Sequence, residues 1–262
     1  MLTLPIIAFD YPLTFRLNGN EVSAHFLFEL LAFQTAAWVY YLNRRRRADV
    51  IADRRRFAVI FAAAAGALVG SRVLAWLEHV EALWAHASWM QLYNTKTIVG
   101  AILGATVAVE LAKLAMGERR STGDAFVYPL IAGIIVGRIG CFLTGVADHT
   151  AGLPATLPWA MDQGDGVLRH PTALYEIAFL MLLGATLWVT EERLLRRSGL
   201  QFVVFLSAYL AFRLGVDFLK PAPPMALGLT AIQWACLVGL LAFCLPKLNH
   251  YRSCNEVIRI TT

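Results

Sequence analysis

The sequence predicts an all-α protein that crosses a membrane several times, and two observations support this prediction. Hydrophobic residues make up 58% of the 262 residues and charged residues only 16%, whereas globular proteins have roughly 45–50% apolar and about 25% charged residues. The apolar residues come in blocks of about 18–23, long enough for a helix to cross a ~30 Å hydrocarbon layer. This composition argues against a soluble enzyme and excludes a disordered chain.

Seven such blocks follow one another along the chain, and we predict a transmembrane helix in each. They lie near residues 22–42, 57–77, 97–116, 125–147, 171–190, 201–219 and 225–245. Charged breaks at 43–56, 118–124 and 191–199 separate neighbouring spans. The long break at 148–170 is punctuated by Pro, Gly and Asp, which predicts an external loop. The whole chain, residues 1–262, is then one integral membrane domain.

The distribution of basic residues predicts the orientation of the chain in the membrane. The loops at 43–56, 113–124 and 191–199 and the C-terminal tail carry 16 of the 23 Lys and Arg, and the alternate segments carry 4. Because cytoplasmic loops carry the excess of positive charge, the N-terminus lies outside and the C-terminus inside. The basic loops then face anionic lipid headgroups. We expect no binding of nucleic acid, since the main basic run is a short loop between two spans.

Several ionisable side chains fall inside the predicted spans, where each costs about 2.5–3.5 kcal/mol to insert. They are Glu29, Arg72, Glu110, Arg138, Glu176, Arg213 and Asp217. This cost predicts that they face a polar cavity and mark a functional site, although ion pairs that join helices are the alternative explanation. The three arginines form a set suited to binding a phosphate. Arg213 and Asp217 stand at positions i and i+4 on one helix face, so they are expected to pair.

The segment 169–176 places three reactive groups at the start of the fifth span. Pro171 suits the first turn of a helix, where its missing N–H is no loss, so His170 lies at the mouth of the span. Tyr175 and Glu176 follow one to two turns inside. His170 is therefore a candidate catalytic imidazole, and a solvated contact to lipid headgroups is the alternative.

Three motifs resemble those of the prolipoprotein diacylglyceryl transferases of bacterial inner membranes. Residues 137–145 resemble the family's Gly-Arg-x-Gly-Asn-Phe-x-Asn-Gly, with Arg138 and Gly140 in place. Residues 170–176 are similar to its His-Pro-(Ser/Thr)-Gln-Leu-Tyr-Glu, and residues 209–217 to its Tyr-x-x-x-Arg-x-x-x-Glu. The order of these motifs and the seven spans agree with the family over almost the whole chain.

The chain departs from the family at several motif positions, which identifies it as a divergent member. Around the first motif, Cys141 and Thr144 stand where the family has asparagines, and Val146 stands where it has a glutamate. The family's Phe-His-Gly-Gly on the third span appears here as residues 98–101, with Val99 at the histidine position. An aromatic pair of the first span corresponds to His25 and Phe26.

The resemblance implies a specific reaction. The diacylglyceryl group of phosphatidylglycerol moves to the thiol of a lipobox cysteine in a prolipoprotein signal peptide, and glycerol 1-phosphate is released. No cofactor and no metal are implied, because fixed Arg charges can stabilise the leaving phosphate. In that scheme Arg138 and Arg213 hold the phosphate, Asp217 orients Arg213, and Tyr209 donates a hydrogen bond to the headgroup. Further substrate contacts are expected from Gly140, Cys141, Tyr175, Arg72 and His25.

The acceptor thiol must also lose a proton, since the thiolate is the better nucleophile. With the histidine of the third span replaced, the candidate bases are His170, His25 and His149. We favour His170, with Glu176 orienting its imidazole ring.

The expected partners are phosphatidylglycerol, a prolipoprotein signal peptide and the membrane lipids, in the inner (plasma) membrane of a bacterium. Two alternatives remain open. One is a divergent paralogue that uses the same phospholipid donor with another acceptor. The other is a lipid-binding or transport protein that has kept the arginines and lost the chemistry.

Overall fold

The computed structural model describes residues 11–17, 20–46, 53–79, 95–118, 120–148 and 150–247, and these residues are mostly helical. The helices are α1 Ala24–Arg46, α2 Asp53–Glu78, α3 Ile98–Ala115, α4 Val127–Thr144, α5 Thr172–Val189, α6 Glu191–Leu195, α7 Leu200–Val216 and α8 Ala231–Gly239. Four short strands form two antiparallel pairs: β1 Thr14–Leu17 with β2 Asn20–Ser23, and β3 Met161–Asp162 with β4 Leu168–Arg169. Short 3-10 turns extend α4 at both ends.

Five of the helical segments are long and apolar enough to cross a membrane. They are Arg55–Glu78, Ile98–Ala115, Gly123–Asp148, Thr172–Val189 and Leu200–Leu219. Each coincides with one of the predicted spans, which confirms the prediction of a helical, multi-pass membrane protein. Helix α1 lies at the predicted first span, but His25, Glu29 and Gln34 make it less apolar than the other five. The count of seven spans and the orientation of the termini stay predictions.

The last apolar helix begins later than the predicted boundary near residue 225. It runs over Ala231–Lys247 and is shorter than the five long segments. Thr230 caps its first turn by accepting a hydrogen bond from the Gln233 backbone N–H, and the Gln233 side chain accepts one from the Thr230 N–H. This reciprocal cap sets the start of α8. The apolar residues before it form a turn, in which the Met225 N–H donates to the Leu229 carbonyl at 2.8 Å.

The described residues divide into two compact units. The first unit takes its residues from 1–46, 125–188 and 219–221, and the second from 47–124, 189–218 and 222–262. In the first unit α1 packs along α4. There the α4 glycines Gly133 and Gly137 face Ala32 and Ala36 of α1, so that small residues from both helices meet.

In the second unit a contact between glycines joins α2 to α3. Gly66 and Gly70 of α2 lie against the backbone of Gly104 and Gly100 of α3, and a Cβ at any of the four would overlap a carbonyl oxygen of the other helix. Missing side chains let the two helix backbones approach closely, as small-xxx-small pairs do in membranes. The sequence contains these pairs, and the structure uses them for helix packing.

The segment 150–170 of the first unit is an ordered loop. The Leu153 N–H donates to the Leu219 carbonyl at 2.8 Å, and the His170 N–H donates to the Leu153 carbonyl at 3.1 Å. Between β3 and β4, the Asp162 carboxylate accepts hydrogen bonds from the backbone N–H groups of the turn, residues 164–166. The loop thereby holds His170 directly before α5.

Candidate active site

A buried ion pair joins the two principal helices of the first unit. Arg138 comes from α4 and Glu176 from α5, and the Arg138 Nε lies 2.9 Å from the Glu176 Oε2. The two residues are only 5% and 1% exposed. A charge buried to this extent is tolerated when an opposite charge compensates it, and removal of one partner is costly. Both residues were predicted as site residues, and the structure brings them together.

Cys141 lies one helical turn beyond Arg138. The Arg138 Nη1 donates a hydrogen bond to the Cys141 Sγ at 3.7 Å. The intervening Gly140 faces α1, where an added Cβ would lie 2.6 Å from the Phe28 Cβ and 3.4 Å from the His25 Cα. The absent side chain at Gly140 therefore lets the start of α1 approach Cys141.

His25, at the start of α1, faces two carboxylates. Its Nδ1 lies 2.9 Å from the Asp148 Oδ1, and its Nε2 lies 3.8 Å from the Glu29 Oε2. Thr150 donates a hydrogen bond to the second oxygen of Asp148 at 2.9 Å. The possible ligand atoms of His25, Cys141 and Asp148 all lie within 4.8 Å of one another. Asp148 was assigned only to a loop, because its partner His25 is distant in the sequence.

The ring of His170 is held by Tyr175. The His170 Nδ1 lies 3.2 Å from the Tyr175 hydroxyl, and this hydroxyl accepts a hydrogen bond from the Trp159 Nε1 at 2.8 Å. The sequence predicted that Glu176 orients this ring, but Glu176 forms its ion pair with Arg138. Position on α5 explains the difference, since adjacent residues of a helix point in directions about 100° apart.

His170 also lines an open groove of about 740 Å³ on the loop. The groove is formed by residues on both sides of the β3–β4 turn, among them Pro154, Leu157, Val167 and Leu168. Its walls are mostly apolar, and His170 supplies an ionisable group. His149, another candidate base, lies outside the described residues.

The second unit holds the other predicted group of site residues. Arg213 and Asp217 form the expected i, i+4 pair, with the Arg213 Nη2 3.7 Å from the Asp217 Oδ1. Thr230 donates a hydrogen bond to the Asp217 Oδ2. Tyr209 is fully buried and stacks on Phe205, with ring centroids 6.0 Å apart. The role of Thr230 in holding Asp217 was not foreseen, since it follows from a contact between α8 and the end of α7.

Two further positions named from the sequence lie in the second unit. Arg72 of α2 is half-buried, and its Nη1 donates to the Ser71 Oγ at 3.2 Å. Val99, which the resemblance aligned with a histidine, is 1% exposed in the first turn of α3. The Val99 side chain is therefore packed and apolar.

A close ion pair lies on the β3–β4 turn, outside the spans. Arg169 donates two hydrogen bonds to the Asp165 Oδ2, from Nε at 2.9 Å and from Nη2 at 2.6 Å. These bonds hold the pKa of the Asp165 carboxyl below its ordinary value and raise the pKa of Arg169. Both groups are therefore charged at neutral pH.

Comparison with known proteins agrees with the geometry. A chain from Bordetella avium is 32% identical over 280 residues, covering 96% of this chain and 99% of its own length. One from Methylococcus capsulatus is 30% identical over 260 residues, covering 95% and 94%. One from Nitratidesulfovibrio vulgaris is 29% identical over 264 residues, covering 95% and 93%. All three are named phosphatidylglycerol–prolipoprotein diacylglyceryl transferases.

The family profile adds a match of its own. The profile described as prolipoprotein diacylglyceryl transferase matches residues 12–246, which includes Arg138, Glu176, Arg213 and Asp217. Five helices are long and apolar enough to cross a membrane, and three of them carry the two buried ion pairs. Together with the match over most of the length, these features place the chain in the prolipoprotein diacylglyceryl transferase family, a family of membrane enzymes.

Proposed function

We propose that this protein transfers the diacylglyceryl group of phosphatidylglycerol to the thiol of a lipobox cysteine in a prolipoprotein signal peptide. The observation that supports this most directly is the buried Arg138–Glu176 ion pair, at 2.9 Å, in a chain whose relatives carry this activity in their names. The protein acts in the inner (plasma) membrane of a bacterium, where both the phospholipid donor and exported precursors are available.

In the proposed reaction the acceptor sulfur attacks the glyceryl carbon that carries the phosphate. The C–O bond breaks, its electron pair stays on the phosphate oxygen, and glycerol 1-phosphate leaves. Arg138 stabilises the negative charge that develops on this oxygen, because a fixed cation in a low-dielectric site needs no reorganisation during the reaction. Glu176 is a positioning residue, since its carboxylate fixes the direction of the Arg138 guanidinium.

Arg213 is the proposed second cation for the phosphate. Asp217 orients Arg213 and is itself held by Thr230. A guanidinium held in this way is suited to a tetrahedral phosphate, since its planar fork offers two parallel donors. The Tyr209 hydroxyl is the proposed hydrogen-bond donor to the glycerol headgroup.

His170 remains the proposed base for the acceptor proton. Its ring is oriented by the Tyr175 hydroxyl and lines the open groove of the loop. An imidazole can accept the proton of a thiol as a general base. Replacement of His170 by Gln is expected to lower the rate of transfer, while binding of the donor is retained.

A second candidate function is transfer of the same group to a different acceptor. The observation in its favour is Val99, a packed apolar residue at the position that the resemblance aligned with a histidine. The two arginines proposed to bind the phosphate, Arg138 and Arg213, are both present.

The test is a transfer assay with purified protein, phosphatidylglycerol vesicles and a synthetic lipobox peptide. We expect mass spectrometry to show the peptide heavier by one diacylglyceryl group, with release of an equal amount of glycerol 1-phosphate. A peptide with Ser in place of the lipobox Cys is the matched control and should gain nothing. Release of glycerol 1-phosphate with a thiol other than the peptide would support the second candidate. If vesicles bind but glycerol 1-phosphate is never released, the transferase proposal is overturned in favour of lipid binding.

A further inference from the structure

Three side chains at the end of α4 and the start of α1 have the composition of a zinc site. His25, Cys141 and Asp148 supply one nitrogen, one sulfur and one oxygen, and these atoms all lie within 4.8 Å of one another. The His25 Nδ1 and the Asp148 Oδ1 are 2.9 Å apart. Two ligands of one tetrahedral zinc ion, each about 2.0–2.2 Å from the metal, lie roughly 3.3 Å apart. Small rotations of the side chains therefore suffice to form the site.

Neighbouring groups already hold the three side chains in position. Thr150 donates a hydrogen bond to the Asp148 Oδ2 at 2.9 Å, which leaves the Oδ1 directed at His25. Glu29 lies 3.8 Å from the His25 Nε2, and Arg138 donates to the Cys141 Sγ at 3.7 Å. Such outer contacts orient metal ligands.

An ordinary ion pair explains only part of this arrangement. Attraction between a protonated imidazole and a carboxylate accounts for the contact of His25 with Asp148. It does not account for the Cys141 thiol beside them. Cys141 instead adds a sulfur ligand beside the contact between His25 and Asp148.

We propose that His25, Cys141 and Asp148 bind a zinc ion whose fourth coordination position accepts the substrate thiol. Three protein ligands with an open fourth position are the pattern of a catalytic zinc site, whereas structural sites have four protein ligands. The side chains of His25 and Asp148 are 27% and 12% exposed, which gives the fourth position access. No metal was expected from the sequence, because the resemblance implies that fixed Arg charges stabilise the leaving phosphate.

The role of the metal in the reaction rests on the proposed function, whereas the binding of the metal does not. The acceptor thiol binds zinc and gives up its proton to water or to the base His170, since a coordinated thiol is deprotonated. The zinc-bound sulfur then forms the S–C bond as the C–O bond to phosphate breaks. Arg138 contacts Cys141 directly, so the thiol would bind next to the cation that receives the leaving phosphate.

Metal binding can be measured without any activity. Metal-free protein in detergent is titrated with Co²⁺, which replaces zinc and absorbs light. We expect one Co²⁺ per chain, visible bands typical of tetrahedral cobalt, and a near-ultraviolet charge-transfer band from a thiolate. We also expect a lipobox peptide to change the visible bands, and its Cys-to-Ser form to leave them unchanged. If the intact protein shows no thiolate band at saturating Co²⁺, the site is overturned.

Variants assign the ligands. Cys141→Ser should abolish the charge-transfer band, and His25→Gln or Asp148→Asn should weaken binding by more than the 10- to 100-fold typical of losing a supporting contact. Matched controls are Cys244→Ser, His79→Gln and Asp165→Asn, which change the same residue types elsewhere and should bind Co²⁺ as the wild type does. A charge-transfer band that survives in Cys141→Ser but disappears in Cys244→Ser would overturn the assignment.

The transfer assay separates the failure of this inference from the failure of the proposed function. Removal of zinc should lower transfer at least about 100-fold, and added zinc should restore it. Full transfer by metal-free protein would overturn the zinc role while the transferase function stands. Binding of zinc at the three residues without transfer to any thiol would overturn the transferase function while the metal site stands.

Discussion

Charged residues buried in membrane helices determine both the stability and the proposed chemistry of this protein. Arg138 is compensated by Glu176, and Arg213 by Asp217. Each partner also fixes the direction of a guanidinium, so the same contact that offsets the cost of burial orients the cation for a phosphate. Loss of one partner therefore has two effects, on folding and on turnover, and experiments must separate them.

Substitution of the arginines tests the phosphate contacts. One guanidinium–phosphate contact is worth about 1.5–3 kcal/mol, so Arg138→Ala and Arg213→Ala should each lower turnover about 10- to 100-fold or more. Lys at either position should also be impaired, because an ammonium lacks the planar fork. The measurement is the rate of glycerol 1-phosphate release from phosphatidylglycerol, with folding checked by thermal unfolding in detergent.

Arg16→Ala is the matched control for these variants. Arg16 lies on β1, its side chain is 82% exposed, and its ion pair with Glu21 is 3.4 Å long. Exposed pairs of this kind contribute little to stability, so this variant should keep wild-type turnover. Wild-type turnover in both Arg138→Ala and Arg213→Ala would rule out their role as phosphate ligands.

At the scale of elements, helix packing depends on glycines, where no side chain keeps the two helix backbones apart. Where α2 crosses α3, Gly104 lies against the backbone of Gly66 and Gly70. In the first unit, the missing side chain at Gly140 lets α1 approach the part of α4 that carries Cys141. Such contacts are steric, so a single methyl group tests them.

Gly104→Ala should destabilise the protein by about 1–3 kcal/mol, because its Cβ would overlap the Gly66 carbonyl and one helix must move. Gly215→Ala on α7 is the control, since no atom lies within 4 Å of its added Cβ. That variant should be neutral or stabilised by at most about 1 kcal/mol, as expected when Ala replaces Gly in a helix. Thermal unfolding in detergent compares the two, and equal midpoints would contradict the close crossing.

The β3–β4 turn should respond to acid through Asp165. The pKa of this carboxyl is lowered by the hydrogen bonds from Arg169, so its contribution to the stability of the turn is complete above the ordinary pKa near 3.9. The contribution is lost as the pH falls through the lower pKa of the folded state. Hydrogen exchange of residues 161–169 should therefore accelerate below about pH 4 in the wild type.

In Asp165→Asn the same exchange should already be faster at neutral pH and should depend less on acid. Identical pH profiles for the wild type and the variant would show that the Asp165–Arg169 contact does not hold the turn.

At the scale of the whole molecule, the division of 16 against 4 basic residues between alternate loops predicts the orientation in the membrane. Reporter fusions at Arg47 and Arg196 should give cytoplasmic signals, and a fusion at Asp165 an external one. A fusion at Arg196 that reports from the external side would contradict the seven-span, N-out topology.

Much of the fold of this protein, and part of its candidate site, could be predicted from the sequence alone. Apolar length and buried charge are properties of continuous segments, so the helical membrane class, the five long spans and the Arg213–Asp217 pair could be predicted from local patterns. The motifs around Arg138, His170 and Arg213 likewise indicated the family that the comparison then showed. The start of α8 was less predictable, because hydropathy does not register the reciprocal cap made by Thr230 and Gln233.

Only the tertiary structure decided which distant side chains meet. The spacing of residues in the sequence does not indicate that His25 pairs with Asp148, or that Cys141 lies beside them. It also does not indicate that Glu176 contacts Arg138. The contact of Tyr175 with His170 is likewise visible only in the structure. The contacts of His25 with Asp148 and Cys141 depend on how α1 packs along α4, and that packing includes close approaches at the α4 glycines. Local sequence patterns determine where a helix lies and which of its faces is polar. Which polar side chains of two helices contact each other is determined only by how the helices pack.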